Sequence, residues 1–160
     1  MMRKMTVKSL FGPLVLAVSL AGVATSASAE VVVQDAWARA TVPGQPATGA
    51  FMTLTADTDS TLLSVQSPVA ALVQVHQSSM HDDVMKMTPA DTVSLPAGKP
   101  VVLEPSGYHV MLMQLHGQVK EGDVVPLTLQ VKDASGITQT VQVQAVARAL
   151  NQPDAHQHSH

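Results

Sequence analysis

Short apolar runs, each closed by turn residues, follow one another along the chain from residue 31 to residue 146. Residues 31–33, 36–38, 50–55, 62–65, 72–77, 83–87, 101–103, 108–115, 124–131 and 137–146 read as strands. Between them stand Pro43-Gly44, Asp57-Thr58-Asp59-Ser60, Pro68, Pro96-Ala97-Gly98, Pro105-Ser106-Gly107, Glu121-Gly122-Asp123 and Asp133-Ala134-Ser135-Gly136. Side chains alternate across a strand. Val73 and Val75 therefore share one face while Gln74 and His76 share the other. In the same way Val110 and Leu112 are set against His109 and Met111. Each of these strands can bury one face and display chemistry on the other. Residues 68–72 could form one helical turn at most, and no long amphipathic helix or internal repeat is present. Strands punctuated about every eight to twelve residues predict an all-β single domain, a sandwich or barrel.

The two ends of the chain break this pattern. Residues 1–29 read as a cleaved signal peptide: Arg3, Lys4 and Lys8, then the apolar stretch 10–23, then Ala27-Ser28-Ala29 as an A-x-A cleavage site. The apolar stretch falls short of the roughly 20 residues that a spanning helix needs. Cleavage would put Glu30 first, leaving a domain over 30–148. Residues 149–160 read as a flexible tail, polar and without a strand pattern from Asn151 on, carrying His156, His158 and His160 at alternate positions.

Composition then narrows the function. Removing three of the nine basic residues and none of the twelve acidic ones takes the net charge from −3 to −6. With that charge and one Trp, one Tyr and two Phe in all, the chain offers neither the basic face nor the stacking platform of a nucleic-acid binder. It has no cysteine, hence no disulfide, thiol redox centre or thiolate metal ligand. No Gly-x-Ser-x-Gly elbow occurs, and the adjacent acids Asp82-Asp83 read as a solvated loop, so an enzyme is not expected.

The candidate chemistry lies in His76, Met87, His109 and Met111. A single histidine on a strand is usually a half-exposed polar residue, and a single methionine is usually core filler. Together, at the spacing His-x10-Met-x21-His-x-Met, they offer two imidazoles and two thioethers. Thioethers select Cu(I), and methionine binds without losing a proton, so only the histidines compete with protons for the metal. Met85 and Met87 share a face if 83–88 is extended, and spacing alone does not choose between them. Met80, His81, Met85 and Met113 are secondary candidates. The tail imidazoles, without thioethers, suit Cu(II).

The quartet resembles the signature of the periplasmic copper chaperone PCu(A)C family, His (or Met)-x10-Met-x21-His-x-Met, at all four positions. Ala36-Trp37-Ala38-Arg39, Gly49-Ala50-Phe51-Met52, residues 107–113 and the Glu121-Gly122-Asp123 turn are similar as well, so the likeness covers about residues 30–148. Gln74 stands where the family pattern has an acidic residue, Ser106-Gly107 where it has Gly-Gly, and Asp83 where it has glycine. The resemblance implies a cupredoxin-like β-sandwich that carries Cu(I) in the periplasm on the four named residues. It further implies delivery to the copper-site subunit of cytochrome c oxidase, beside Sco-type thiol proteins. The carrier is expected to be a monomer with no membrane span in its mature form. The competing reading is a copper or silver buffering protein with no dedicated acceptor.

Overall fold

The computed structural model describes residues 29–149, and the signal-peptide and tail-histidine expectations lie outside them. Ten strands and no helix make up the described residues. In chain order they are β1 Val31–Arg39, β2 Ala47–Ala56, β3 Ser60–Gln66, β4 Ala70–His81 and β5 Val84–Pro89. Then follow β6 Val93–Leu95, β7 Val101–Leu103, β8 Tyr108–Leu115, β9 Val124–Asp133 and β10 Thr138–Arg148. Hydrogen bonds link them in the order β5-β4-β8-β2-β1-β10-β9-β3-β6, with β7 on β2. The β1–β10 pair is parallel and the other pairs are antiparallel. The sheet curls over so that β3 approaches β4 and one core fills the inside. This is the all-β single domain expected from the sequence.

Alternation is what places the core. Val75 of β4, Val110 and Leu112 of β8, Ala50, Met52 and Leu54 of β2, and Val125, Leu127, Leu129 and Val131 of β9 all point inward and are buried. Burying a Leu or Val side chain contributes roughly 1.5–3 kcal/mol, so this aliphatic set can hold the fold without disulfides. The residues between them on β4, β8 and β2 form the outer face, where the candidate chemistry sits. Strand β8 matches its sequence reading at both ends. By contrast β4 and β5 run well past theirs, as a two-stranded ribbon beyond the sheet. His81 is the last residue of β4. Strand β6, with Val93 and Leu95 buried, has no counterpart among the sequence-predicted strands.

The β9–β10 hairpin is closed by Asp133. Its Oδ1 accepts hydrogen bonds from Ser135 N at 2.9 Å, Ser135 Oγ at 2.6 Å and Ile137 N at 2.9 Å. The Ser135 hydroxyl bond first, and the Ile137 amide next, hold the carboxyl below its ordinary range. A carboxylate with a depressed folded-state pKa stabilises above its unfolded pKa, and that stability is lost as pH falls through the depressed value. Asp133→Ala is therefore expected to lower the melting temperature at pH 7 and to leave it unchanged at a pH below both values. Thermal melts across the acid range check this; an equal loss at both pH values would contradict it.

Candidate metal centre

Register brings the four sequence-predicted residues to one face. His76 on β4 pairs directly with His109 on β8. Ser78, two residues on from His76, pairs with Met87 on β5. Met111, two residues on from His109, pairs with Gln74 of β4 and with Gly49 of β2. Directly paired residues project from the same side of a sheet, as do residues two apart. His76, Met87, His109 and Met111 thus all project outward, opposite the core face of Val75, Val110 and Leu112. The register answers the Met85–Met87 question in part: both share the face, and Met87 lies one step nearer His76.

The two imidazoles differ in environment. Ring centroids of His76 and His109 are 6.1 Å apart with planes inclined at 67°. His109 is 2% exposed although it is on the outer face. The turn before β8 covers it: Gly107 N donates to Glu104 O, Ser78 N donates to Gly107 O, and Ser78 Oγ donates to Pro105 O. His109 Nδ1 lies 3.2 Å from the Gly107 carbonyl oxygen. A carbonyl only accepts, so Nδ1 carries the proton and Nε2 keeps its lone pair. The ring is held in one tautomer and one orientation, as a metal-binding imidazole usually is.

His76 is only partly buried. Its Nε2 lies 3.3 Å from Gln74 Oε1, to which it donates in the Nε2–H tautomer. Partial burial, and then the neighbouring His109, hold its pKa below the ordinary 6.5. A neutral amide at position 74 offers the ring no charge to offset that. His76 is accordingly a neutral donor near neutral pH.

Met87, His109 and Met111 line a cleft of about 220 Å³ together with Arg39, Gln45, Thr48, Gly49, Phe51 and Pro105. His76 stands beside this cleft, across the strand pair from His109, and is not part of its lining. Met87 is 51% exposed at the mouth and His109 is at the buried end. Among the described residues no three His, Cys, Asp or Glu side chains lie close enough to share an ion. The further side-chain donors that the register brings to this face beside the two imidazoles are the thioethers of Met87 and Met111.

The profile of the family described as "Putative lipoprotein LpqE-like" matches residues 31–143, most of the chain. The chain belongs to the LpqE-like family. A curated relative, "Putative lipoprotein Lxx21020" of Leifsonia xyli subsp. xyli, is 28% identical over 106 residues, which is 66% of this chain and 64% of that protein. Among solved structures, the copper-bound PCuAC domain from PmoF2 aligns with TM-score 0.59 at 24% identity, covering 74% of this chain and 92% of that domain. The solution structure of apo-DR1885 from Deinococcus radiodurans aligns with TM-score 0.53 at 25% identity, covering 92% and 95%. The PCu(A)C resemblance in the sequence is thus borne out, and with it the fold.

Within this LpqE-like domain, sequence reasoning gave no role to the wall of the cleft. Trp37 and Phe51 stack with ring centroids 4.6 Å apart, Arg39 lies over Phe51 at 5.7 Å, and Arg148 lies over Trp37 at 5.2 Å. Of the two rings, Phe51 lines the cleft, and Trp37 packs against it from outside the lining. The signal was present in the sequence: two of only four aromatics flank Arg39 and Gly49. Met113 shares the outer face, pairing with Ala47 and Leu72, and does not line the cleft.

Proposed function

We propose that this protein is an exported Cu(I) carrier whose cargo is held by His76, Met87, His109 and Met111. One observation carries the reading: three adjacent strands turn two imidazoles and two thioethers to a single face, three of the four lining one small cleft. An imidazole nitrogen binds a first-row ion at about 2.0–2.1 Å with its ring centre roughly 1 Å further back, so two rings on one ion have centroids up to roughly 6 Å apart. The 6.1 Å separation of His76 and His109 corresponds to rings on opposite sides of an ion, and a four-coordinate ion would draw them roughly 1 Å closer. The likeness to the copper-bound PCuAC domain from PmoF2 supports copper as the metal.

Four neutral donors leave the site with the ion's own +1 charge. Binding is then weaker than in a thiolate trap, and a cysteine-bearing acceptor gains the metal by ligand exchange. Met87 at the exposed mouth is the donor an incoming thiol would displace, while His109 holds the ion from beneath. The reading extends to delivery for the cytochrome c oxidase copper site beside Sco-type thiol proteins, in the periplasm, after removal of residues 1–29. The domain over 30–148 acts as a monomer, and His156, His158 and His160 take Cu(II). The test is transfer: the Cu(I)-loaded protein mixed with an apo oxidase copper domain should lose its metal to it. Retention of copper under those conditions would favour buffering without a dedicated acceptor. X-ray absorption of the Cu(I) form should count two sulfur and two nitrogen neighbours, and no sulfur would reject the site.

Gln74 gives a graded check. Gln74→Glu places a carboxylate 3.3 Å from where His76 Nε2 now meets an amide oxygen. The added charge offsets the ion's +1 and raises the His76 pKa. Cu(I) affinity at neutral pH is expected to rise about 3–10-fold, the size of a partly exposed charge interaction. The gain over wild type should shrink on acidification, because the ring now competes for protons sooner. Competition titrations from pH 5 to pH 8 would read both effects, and a gain that stays constant over that range would contradict the second.

A further inference from the structure

The ribbon formed by β4 and β5 carries a second pair of soft donors. Met80 and Met85 pair directly across it. They are 64% and 53% exposed. By the same alternation they project from the face of Met87 and His76, one step nearer the tip. Directly opposed side chains start about 4.5–5.5 Å apart at Cβ, close enough for two thioethers to meet on one ion. His81, next to Met80, projects from the other face, where it pairs with Val84 and where its Nε2 lies 3.6 Å from Asp82 Oδ2. It is no part of the pair.

The tip is built to stay in place and to attract a cation. Asp82 and Asp83 form the two-residue turn, both with left-handed φ values of 49° and 60°. That is the turn geometry that fits the twist of a hairpin, and aspartate tolerates it. The two carboxylates sit at the end of the Met ladder. From Met85 to Met87 is one two-residue step, about 6.8 Å. All four large apolar side chains exposed on this ribbon, Met80, Val84, Met85 and Met87, would otherwise be left in water without a partner. Three of them are thioethers on one face, donors that suit a soft ion.

We propose that Met80 and Met85 form a second, weaker site for a soft monovalent ion, where Cu(I) is received and passed by ligand exchange through Met87 to the His109 cleft. The relay rests on the four-ligand reading above. Exchange needs no change in oxidation state and no proton transfer, since each thioether enters and leaves neutral.

The full chain, labelled with ¹³C-methyl methionine, should be titrated with Ag(I) as a redox-inert soft ion. The first equivalent should move the methyl signals of Met87 and Met111, and the second should move Met80 and Met85 together. The Met80→Leu/Met85→Leu double variant keeps both exposed positions apolar. It should bind the first equivalent with unchanged affinity and load about tenfold more slowly at limiting Ag(I). Signals of Met80 and Met85 that stay fixed while those of Met87 and Met111 move would overturn the second site and leave the four-ligand site standing. Fixed Met87 and Met111 signals would overturn the four-ligand reading and the relay with it. Loading of the double variant at the wild-type rate would reject the relay.

Discussion

His109→Ala is expected to lower Cu(I) affinity by 100-fold or more, the largest loss of the four candidate ligands. Disturbing a partner that merely orients a ligand costs about 10–100-fold in metal affinity; removing the oriented ligand should cost at least as much. His109 is the one candidate that is fully buried, and its Nδ1 is fixed on the Gly107 carbonyl before any ion arrives. No water can replace its donor atom as readily as at the cleft mouth. Met87→Ala should cost nearer tenfold, because that side chain is half exposed and adopts its binding position only by giving up rotamer freedom. Competition titration against a Cu(I) chelator gives both numbers. Circular dichroism and the melting temperature separate lost binding from lost folding, and a folded His109→Ala protein within tenfold of wild type would remove His109 from the site.

The same contrast shows which parts of the molecule could be read in advance. Strand β8 was legible to the residue because it is a nearly continuous apolar run that opens just after the Pro105-Ser106-Gly107 turn and ends at Leu115. Strand β5 is exposed at every position, and burial imposes no period on it. Its end, and the extension of β4 through Ser78 and Ser79, are set by their mutual hydrogen bonds. Strand β6 is three residues long, too short for any periodic signal, and its Val93 and Leu95 are held by β3. In the site, spacing alone put His109 and Met111 on one face. That His76 meets His109 depends on a register between segments about thirty residues apart, which no local pattern encodes; Met87 arrives two positions along through the nearer β4–β5 hairpin, whose register follows the two-residue Asp82-Asp83 turn. The cover over His109 from Pro105, and the aromatic wall, are equally non-local.

That wall supports the second large expectation: Gly49→Ala should lower stability by about 1–3 kcal/mol, the usual range for overpacking a filled site. A Cβ at position 49 would lie 2.7 Å from Phe51 Cζ. Phe51 is 4% exposed and already sits between Trp37 and Arg39, so its ring cannot retreat outward without breaking that stack. The open direction is the cleft, where the ring would move toward Met111, the residue paired with Gly49. An alanine in a strand would otherwise gain roughly 0.5–1 kcal/mol over glycine by restricting the unfolded chain. Any observed loss therefore understates the clash. The single variant should also weaken Cu(I) binding, since the ring intrudes on the thioether side of the site. Phe51→Leu shortens the offending side chain and should cost about 1–2 kcal/mol alone. If contact between residues 49 and 51 is the cause, the double variant should be more stable than the two single losses predict by about 0.5–3 kcal/mol, the range for directly touching residues. Urea unfolding of the four proteins measures that coupling. Additive losses would mean that glycine at position 49 answers to the backbone and not to the ring that closes the cleft.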